Sequence, residues 1–320
     1  MYNQRTGGKP DGCATFYRCS KFTLVNEKLV KYYTINVPVL DKDNVGIVVL
    51  LKPNIPEEVH TQRSESDKEP RLLCVANTHL LFNKKRGDIK LAQLAYLFAE
   101  VDSLAMLRRD SLSDVYCPVI LCGDLNSIPY SPLHYFLTKG ELEYGSRIPS
   151  IISGQLLASP PSPGHYISTS CIRLPLLPWN FGVTLGCQWR NLHSTTGRDE
   201  ENSSFPYNPV VERVKHDWTN VLTIPFQFKS VYNHHLEDGT PEVTTCHSKA
   251  CCNVDYIFYT LGASTDEKSK DGKRCSHEGT LTLLRKLQLL GKSDFNVVKQ
   301  LPNQQYSSDH LSLLALFKLS

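Results

Sequence analysis

The sequence predicts an α/β domain built from layers of strands and helices. Between residues 72 and 140, two apolar runs rich in β-prone residues each precede a segment whose apolar residues have helical spacing. The runs are residues 72–76 and 119–122. Strands that alternate with helices are typical of layered α/β folds. The 320-residue chain is long enough for a sizeable core, and its 41% hydrophobic and 21% charged residues indicate a globular protein.

The first part of the chain predicts hairpins. Asp11-Gly12 and Asp43-Asn44 mark turns, and β-prone residues flank them at 13–17 and 45–51. The polar residues 57–70 predict a surface loop before the strand that ends in Asn77.

Two helices are expected next. Asp88 is placed to cap the first, whose apolar residues at helical spacing are Leu94, Leu97, Phe98, Val101, Leu104 and Ala105. Ser131-Pro132 starts a second, shorter helix, and Gly140 ends it.

Residues 147–210 interrupt the pattern. They are rich in proline and show little periodicity, so we expect an irregular insertion over the surface. Strands are predicted again at residues 226–232 and 254–259. A final helix is predicted through Leu281, Leu284, Leu287 and Leu290, with Gly291 as its stop, before a last strand that starts at Leu311.

Composition excludes several classes of protein. The net charge of +3 is too small for an avid, non-specific nucleic-acid binder. No apolar run approaches the roughly 18 residues of a membrane span, so we expect no membrane partner and a cytoplasmic protein, with the nucleus as a second compartment. The eleven cysteines are expected to be reduced and mostly buried, as Cys74 and Cys122 inside strands suggest. Cys246-His247 and Cys251-Cys252 lack the paired spacing of a zinc site.

Polar groups collect at the predicted strand ends. The segments are Asn77-Thr78-His79-Leu80, Gly123-Asp124-Leu125-Asn126 and Ser308-Asp309-His310-Leu311. Ligands of layered α/β domains gather at strand ends, so these groups can converge on one pocket. Carboxylates, an amide and two imidazoles suit a hard cation and an anionic ester. The sequence therefore predicts a metal-dependent phosphoesterase.

Each motif also has a structural explanation. Gly-Asp-x-Asn fits an Asx turn, Ser-x-His fits a capped turn, and a histidine at a strand end is commonly a surface residue. Asp255 is less ordinary, because a carboxylate that begins an apolar strand must be paired or face a cavity. An imidazole oriented by Asp255 would form an Asp–His dyad. Lys84-Lys85-Arg86 either guides a phosphate backbone or is a solvated charge run.

Taken together, the motifs resemble a known family. Asn-Thr-His-Leu, Gly-Asp-x-Asn, Val-Asp-Tyr-Ile-Phe-Tyr and Ser-Ser-Asp-His-Leu, in that order, resemble the exonuclease–endonuclease–phosphatase superfamily. Within it, residues 9–14, 43–46, 86–91 and 241–248 are similar to the Angel proteins of the Ccr4-like deadenylase group, which includes nocturnin. The resemblance runs from Arg5 to the C-terminus, apart from the insertion.

The resemblance implies a single catalytic domain over residues 1–320, a two-sheet β-sandwich flanked by helices with the site at one end. It implies Mg²⁺, with Mn²⁺ as an alternative, near Asp124 and Asp309. His310, paired with Asp255, would stabilise charge on the phosphoryl oxygens, while His79 and Asn126 would contact the scissile phosphate. The implied substrates are RNA 3′ ends, either poly(A) or a terminal 2′,3′-cyclic phosphate.

The start of the chain departs from the family pattern. Family members carry a Gln-Glu strand end, whose Glu binds Mg²⁺, ahead of Asp-Gly-Cys-Ala. Here ten residues precede Asp11 and none is Glu. We therefore expect a fold without its opening strands, and either an incomplete enzyme or a non-catalytic binding protein of mRNA decay or translation complexes. The Tyr-x-x-x-x-Leu-apolar motif by which some Angel proteins bind a translation factor is not found, and a lipid or small-molecule phosphatase fits the flanking motifs poorly.

Overall fold

The computed structural model describes residues 1–54, 71–109, 113–158, 170–190, 220–261, 274–277 and 280–320. Within these ranges the α-helices are α1 (Gly87–Ala105), α2 (Pro132–Lys139), α3 (Pro149–Ile152), α4 (Gln155–Ala158) and α5 (Phe295–Val298). The strands are β1 (Tyr2–Gln4), β2 (Gly12–Ala14), β3 (Phe22–Lys31), β4 (Val45–Pro53), β5 (Leu73–His79), β6 (Met106–Arg109), β7 (Ser113–Tyr116), β8 (Val119–Asp124), β9 (Glu141–Glu143), β10 (Val221–Thr223), β11 (Phe228–Ser230), β12 (Glu242–Val243), β13 (Thr245–His247), β14 (Ala250–Cys252), β15 (Asp255–Thr260), β16 (Arg274–His277), β17 (Leu281–Lys286), β18 (Leu290–Gly291) and β19 (Ala315–Leu319).

A six-stranded mixed sheet organises the fold. Its strand order is β11, β15, β8, β5, β4 and β3. The β5–β8 pair is parallel, and the other pairs are antiparallel. A parallel pair needs a long crossover connection, which α1 and the β6–β7 hairpin provide.

The two faces of this sheet pack against different layers. Cys74, Leu121 and Phe258 point to one face, where they join the helices in the largest hydrophobic cluster. On the other face, the central strands pack against the β17–β19 pair, and β4 packs against β1 and β2. The side chains of β15 alternate between the two faces, because Tyr256 and Phe258 join the helical side while Ile257 and Tyr259 join the other.

Both predicted helices are present, with one correction at a cap. Ser131 Oγ accepts a hydrogen bond from the His134 N–H (3.3 Å), and Gly140 ends α2 at φ 75°. The cap of α1 is Arg86, so the prediction that Asp88 caps this helix was wrong. Asp88 lies in the first turn instead, where its carboxylate accepts two hydrogen bonds of 2.9 Å from the Arg86 guanidinium.

Part of the proline-rich segment belongs to the core. Ile172, Leu176 and Val183 are buried in the main cluster, and the rings of Phe181 and Trp189 contact Tyr96 of α1. The expected surface insertion was therefore wrong for residues 170–190, whose apolar side chains cover the outer side of α1. The rest of that prediction falls partly on residues 159–169 and 191–210, outside the described residues, and the whole predicted loop at 57–70 also lies outside them.

The predicted helix at residues 281–290 is wrong. Residues 281–286 form β17, which pairs with β19 through a bulge between Leu283 and Arg285. Leu281 packs into the core, whereas Leu284 and Leu287 are exposed. Pairing with a strand some thirty residues later decided the conformation, and local spacing could not reveal that partner.

Two further observations concern the cysteines and the membrane. Cys74 is buried and free as expected, but Cys246 and Cys251 face each other across the β13–β14 hairpin and form a disulfide, so the prediction of reduced cysteines was wrong for this pair. In the described part of the chain, no helix has both the length and the apolar character to cross a membrane.

Candidate active site

Three neighbouring strands inside the large sheet each place one side chain at the same end of the sheet, so that the three side chains form a row. His79 ends β5, Asp124 ends β8, and Asp255 starts β15. The register pairs His79 with Asp124, and Asp124 with Asp255. Side chains of directly paired residues project to the same face of a sheet, which here is the face away from the helices. The strands themselves therefore bring the three groups together.

Gly123 makes this row possible. It adopts φ 139°, a conformation that L side chains rarely adopt, and a Cβ atom there would overlap the carbonyl oxygen of Thr78. The close approach of β8 to β5 lets Asp124 Oδ2 lie 3.4 Å from His79 Nε2.

The loop after β8 turns on Asp124. Asp124 Oδ1 accepts a hydrogen bond of 2.7 Å from the Asn126 N–H, so the Asx turn considered for this motif is present. The Asn126 side chain is buried, and its Nδ2 donates to the Leu80 carbonyl oxygen at 3.0 Å. An amide nitrogen has two hydrogens, so one donor remains for another acceptor. Asn126 thus holds the loop against β5, close behind Asp124.

Lys90 of α1 supports the same loop from the core and was missed by the sequence analysis. Its ammonium is fully buried and donates to the Asn126 carbonyl oxygen (2.6 Å) and to Gln155 Oε1 (2.7 Å). Burial lowers the pKa of Lys90 to about 7, although the negative charge of Asp124 acts in the opposite direction. The available signal was a lysine inside the apolar run that begins α1.

His310 joins the row through Asp255. Its Nδ1–H donates to Asp255 Oδ2 at 2.7 Å, and this bond, reinforced by the charge of Asp255, raises the pKa of His310 to about 9. The neighbouring segment is fixed by Thr245, whose hydroxyl donates to the Asp309 carbonyl oxygen (2.8 Å), and by Thr244, whose hydroxyl oxygen accepts from the Asp255 N–H (3.2 Å).

The electrostatics of the row suit a cation and an anion side by side. Burial, followed by the negative charge of Asp255, raises the pKa of Asp124 to about 7. Burial, followed by the positive charges of Arg5 and His310, lowers the pKa of His79. Asp124, Asp255 and His310 each offer one ligand atom, and these atoms lie within 4.8 Å of one another. Carboxylate oxygens are the donors that hard divalent cations prefer, so this donor set fits such an ion.

The structure brings four of the six predicted site residues together: His79, Asp124, Asp255 and His310. Asn126 lies behind them in the loop. Asp309 is exposed, and among the described residues its carboxylate is not one of the clustered ligand groups. In the basic run Lys84-Lys85-Arg86, the guanidinium of Arg86 forms an ion pair with the carboxylate of Asp88.

The comparisons with known proteins agree with this architecture. No protein-family model matches the chain. The chain is 40% identical to Protein angel homolog 2 of Bos taurus and 36% identical to Protein angel homolog 1 of Rattus norvegicus. Each alignment covers 99% of this chain. It also matches the crystal structure of ANGEL2, a 2′,3′-cyclic phosphatase, in complex with adenosine-2′,3′-vanadate. That match has a TM-score of 0.73 at 39% identity and covers all of this chain and 74% of that one. The chain belongs to the Angel family.

Membership in the Angel family confirms the predicted resemblance and the α/β fold class. The chain spans 55% of the length of the bovine Angel relative and 52% of the rat relative.

Proposed function

We propose that this Angel chain carries a metal-dependent phosphoesterase site that hydrolyses 2′,3′-cyclic phosphates at RNA 3′ ends. The observation that carries the proposal is the row of His79, Asp124 and Asp255 with His310 bonded to Asp255. The similarity to ANGEL2, a 2′,3′-cyclic phosphatase, favours this substrate over poly(A), the other RNA end that the sequence resemblance implies.

Asp124 and the neighbouring Asp255 are the carboxylates we assign to a bound Mg²⁺, with Mn²⁺ as an alternative. When bound, such an ion neutralises phosphate charge and lowers the pKa of water. Asp309 was the second predicted metal ligand. Because its carboxylate lies outside the cluster, we assign it only an electrostatic influence on His310.

His310 supplies positive charge to the reacting phosphate. With a pKa of about 9 it is an imidazolium at neutral pH, and its Nδ1–H is held by Asp255. Its Nε2–H is then a second donor, which we direct at a phosphoryl oxygen, where charge increases as water adds to phosphorus. His79 and the remaining amide hydrogen of Asn126 are assigned to the other phosphate oxygens.

Hydrolysis consumes one water and breaks one phosphorus–oxygen bond of the cyclic phosphate, and the released ribose oxygen takes a proton.

The test uses two RNAs of the same sequence, one ending in a 2′,3′-cyclic phosphate and one in poly(A), incubated with the chain and Mg²⁺. We expect turnover of the cyclic phosphate, and its loss in His310→Ala and in Asp124→Ala. Asp309→Ala is the matched control for a neighbouring carboxylate and should retain most of the activity. Turnover that survives Asp124→Ala would contradict the site assignment. Failure of the folded chain to turn over either RNA would favour the non-catalytic binding role.

A further inference from the structure

A basic hairpin loop stands beside the active site. Residues 5–11 connect β1 to β2, and they contain Arg5 and Lys9. Strand β2 packs next to the end of β5, where Asn77 Nδ2 donates to the Ala14 carbonyl oxygen at 2.9 Å. Within the loop, Thr6 Oγ1 donates to Asp43 Oδ1 at 2.6 Å, and the adjacent Asn44 donates through Nδ2 to the His79 carbonyl oxygen at 3.1 Å, so the loop lies at the end of the sheet where His79 is.

Arg5 is the partly buried cation of this loop, whereas Lys9 is exposed. Its Nη1 contacts both carboxylate oxygens of Asp11, at 3.0 and 3.4 Å. Its Nε is buried and has no hydrogen-bond partner among the described residues. The buried Nε is out of reach of an incoming ligand, but Nη2 makes no hydrogen bond to the described residues and is not among their buried unpaired atoms, so two hydrogens of the planar fork remain for a phosphate.

The charge of Arg5 lies beside the residue that anchors the loop, because Arg5 directly precedes Thr6, whose hydroxyl donates to Asp43. The Arg5 side chain is only 28% exposed, which limits the screening of this charge by water.

We infer that Arg5 binds the phosphodiester next to the terminal nucleotide and so selects an RNA chain over a free nucleotide. This inference rests on the proposed function, because it supposes an RNA 3′ end at His79. When the terminal phosphate of a single-stranded RNA lies against the row of His79, Asp124 and Asp255, the phosphate of the preceding nucleotide must lie along one wall of the site. The β1–β2 loop is such a wall, and contacts to the phosphate backbone position a nucleic acid without reading its sequence.

A simpler explanation is that the Arg5–Asp11 pair only closes the hairpin. The two explanations differ in what Asp11→Asn does. If Arg5 binds phosphate, removing the competing carboxylate leaves the guanidinium charged and binding of the oligonucleotide is as tight or tighter. If the pair is structural, Asp11→Asn and Arg5→Gln weaken binding alike.

The experiment measures binding in EDTA, so that no turnover is needed. The probe is a 5′-fluorescent tetranucleotide ending in a 3′-phosphate, followed by anisotropy at several salt concentrations, with adenosine 3′-monophosphate as competitor. We expect Arg5→Gln to weaken tetranucleotide binding about tenfold, to reduce the salt slope by about 0.7, and to leave the mononucleotide within about twofold. The matched control is Lys52→Gln, which removes one exposed charge at the opposite end of β4.

Equal losses for both ligands in Arg5→Gln, or an unchanged salt slope, would overturn the inference, as would Asp11→Asn weakening binding alongside Arg5→Gln. This readout is separate from turnover. Arg5-dependent binding without hydrolysis of cyclic phosphate would refute the proposed function and leave the assignment of Arg5 intact. Hydrolysis of the cyclic phosphate together with tetranucleotide binding that does not depend on Arg5 would support the proposed function and refute the assignment of Arg5.

Discussion

Replacing Asp255 by asparagine tests the dyad that holds His310. The substitution keeps the size of the side chain but removes the charge that, with its 2.7 Å hydrogen bond, raises the pKa of His310 to about 9. Without it we expect a pKa near the ordinary histidine value of about 6.5. A difference of this size corresponds to about 3 kcal/mol between the charged and neutral forms. At pH 8, His310 would then change from about 90% charged to about 3%.

Activity and stability should both report this change. In the proposed mechanism the charged imidazole stabilises phosphoryl oxygens and Asp255 also holds the metal, so Asp255→Asn should lose at least about tenfold in kcat/KM at pH 8, and only the part that is due to His310 should be recovered near pH 6. Because the folded pKa of His310 is raised, its contribution to stability is complete below pH 6.5 and is lost as the pH rises through about 9. The free energy of unfolding should therefore fall over that window in the wild-type chain and stay flat there in the variant.

The assay is an NMR titration of the His310 ring in EDTA, together with the pH profile of kcat/KM on a cyclic-phosphate RNA. Asp309→Asn is the matched control. It removes a neighbouring carboxylate whose charge also raises the pKa of His310, but by less than the other groups that shift this pKa. A His310 ring that still titrates near pH 9 in Asp255→Asn would refute the reasoning.

Three further predictions concern the metal, the buried lysine and the glycine. Added Mg²⁺ should raise the melting temperature of the wild-type chain by a few degrees and have little effect on Asp124→Asn, as checked by calorimetry; equal shifts in both would contradict the metal assignment. Lys90→Met should cost about 2 kcal/mol in urea unfolding, because the buried Asn126 carbonyl loses its donor; an unchanged midpoint would show that the ammonium is dispensable. Gly123→Ala should cost more than about 2 kcal/mol, since the new Cβ overlaps the Thr78 carbonyl and the backbone is at φ 139°; a variant as stable as the wild type would mean that β5 and β8 can separate locally.

The strands that carry the site could be predicted because their signals are local. Residues 72–76 and 119–122 are short apolar runs that end in polar residues, and both lie in strands of the large sheet. Asp255 was identified because a carboxylate in an apolar strand needs a partner, and His310 is that partner.

The sequence was less informative about groups whose surroundings come from distant parts of the chain. Leucines at helical spacing suggested a helix at 281–290, but β19 pairs there and makes a strand. Asp309 adjoins His310 in sequence, yet its carbonyl is bound by Thr245 and its side chain is exposed. Lys90 became important only because α1 passes behind the loop of Asn126, which no local pattern encodes.

The row across β5, β8 and β15 ties correct folding to the presence of the reactive groups. Successive residues of a strand point to opposite faces, so a shift of β8 by one position would send Asp124 among the helices and leave Cys122 and Ile120 misplaced with it. A mispaired chain would therefore bury its carboxylate at a prohibitive cost instead of forming a weakened site. Turnover by the proposed site would therefore require correct strand alignment, and an activity measurement on a crude refolding mixture would report only the correctly aligned molecules.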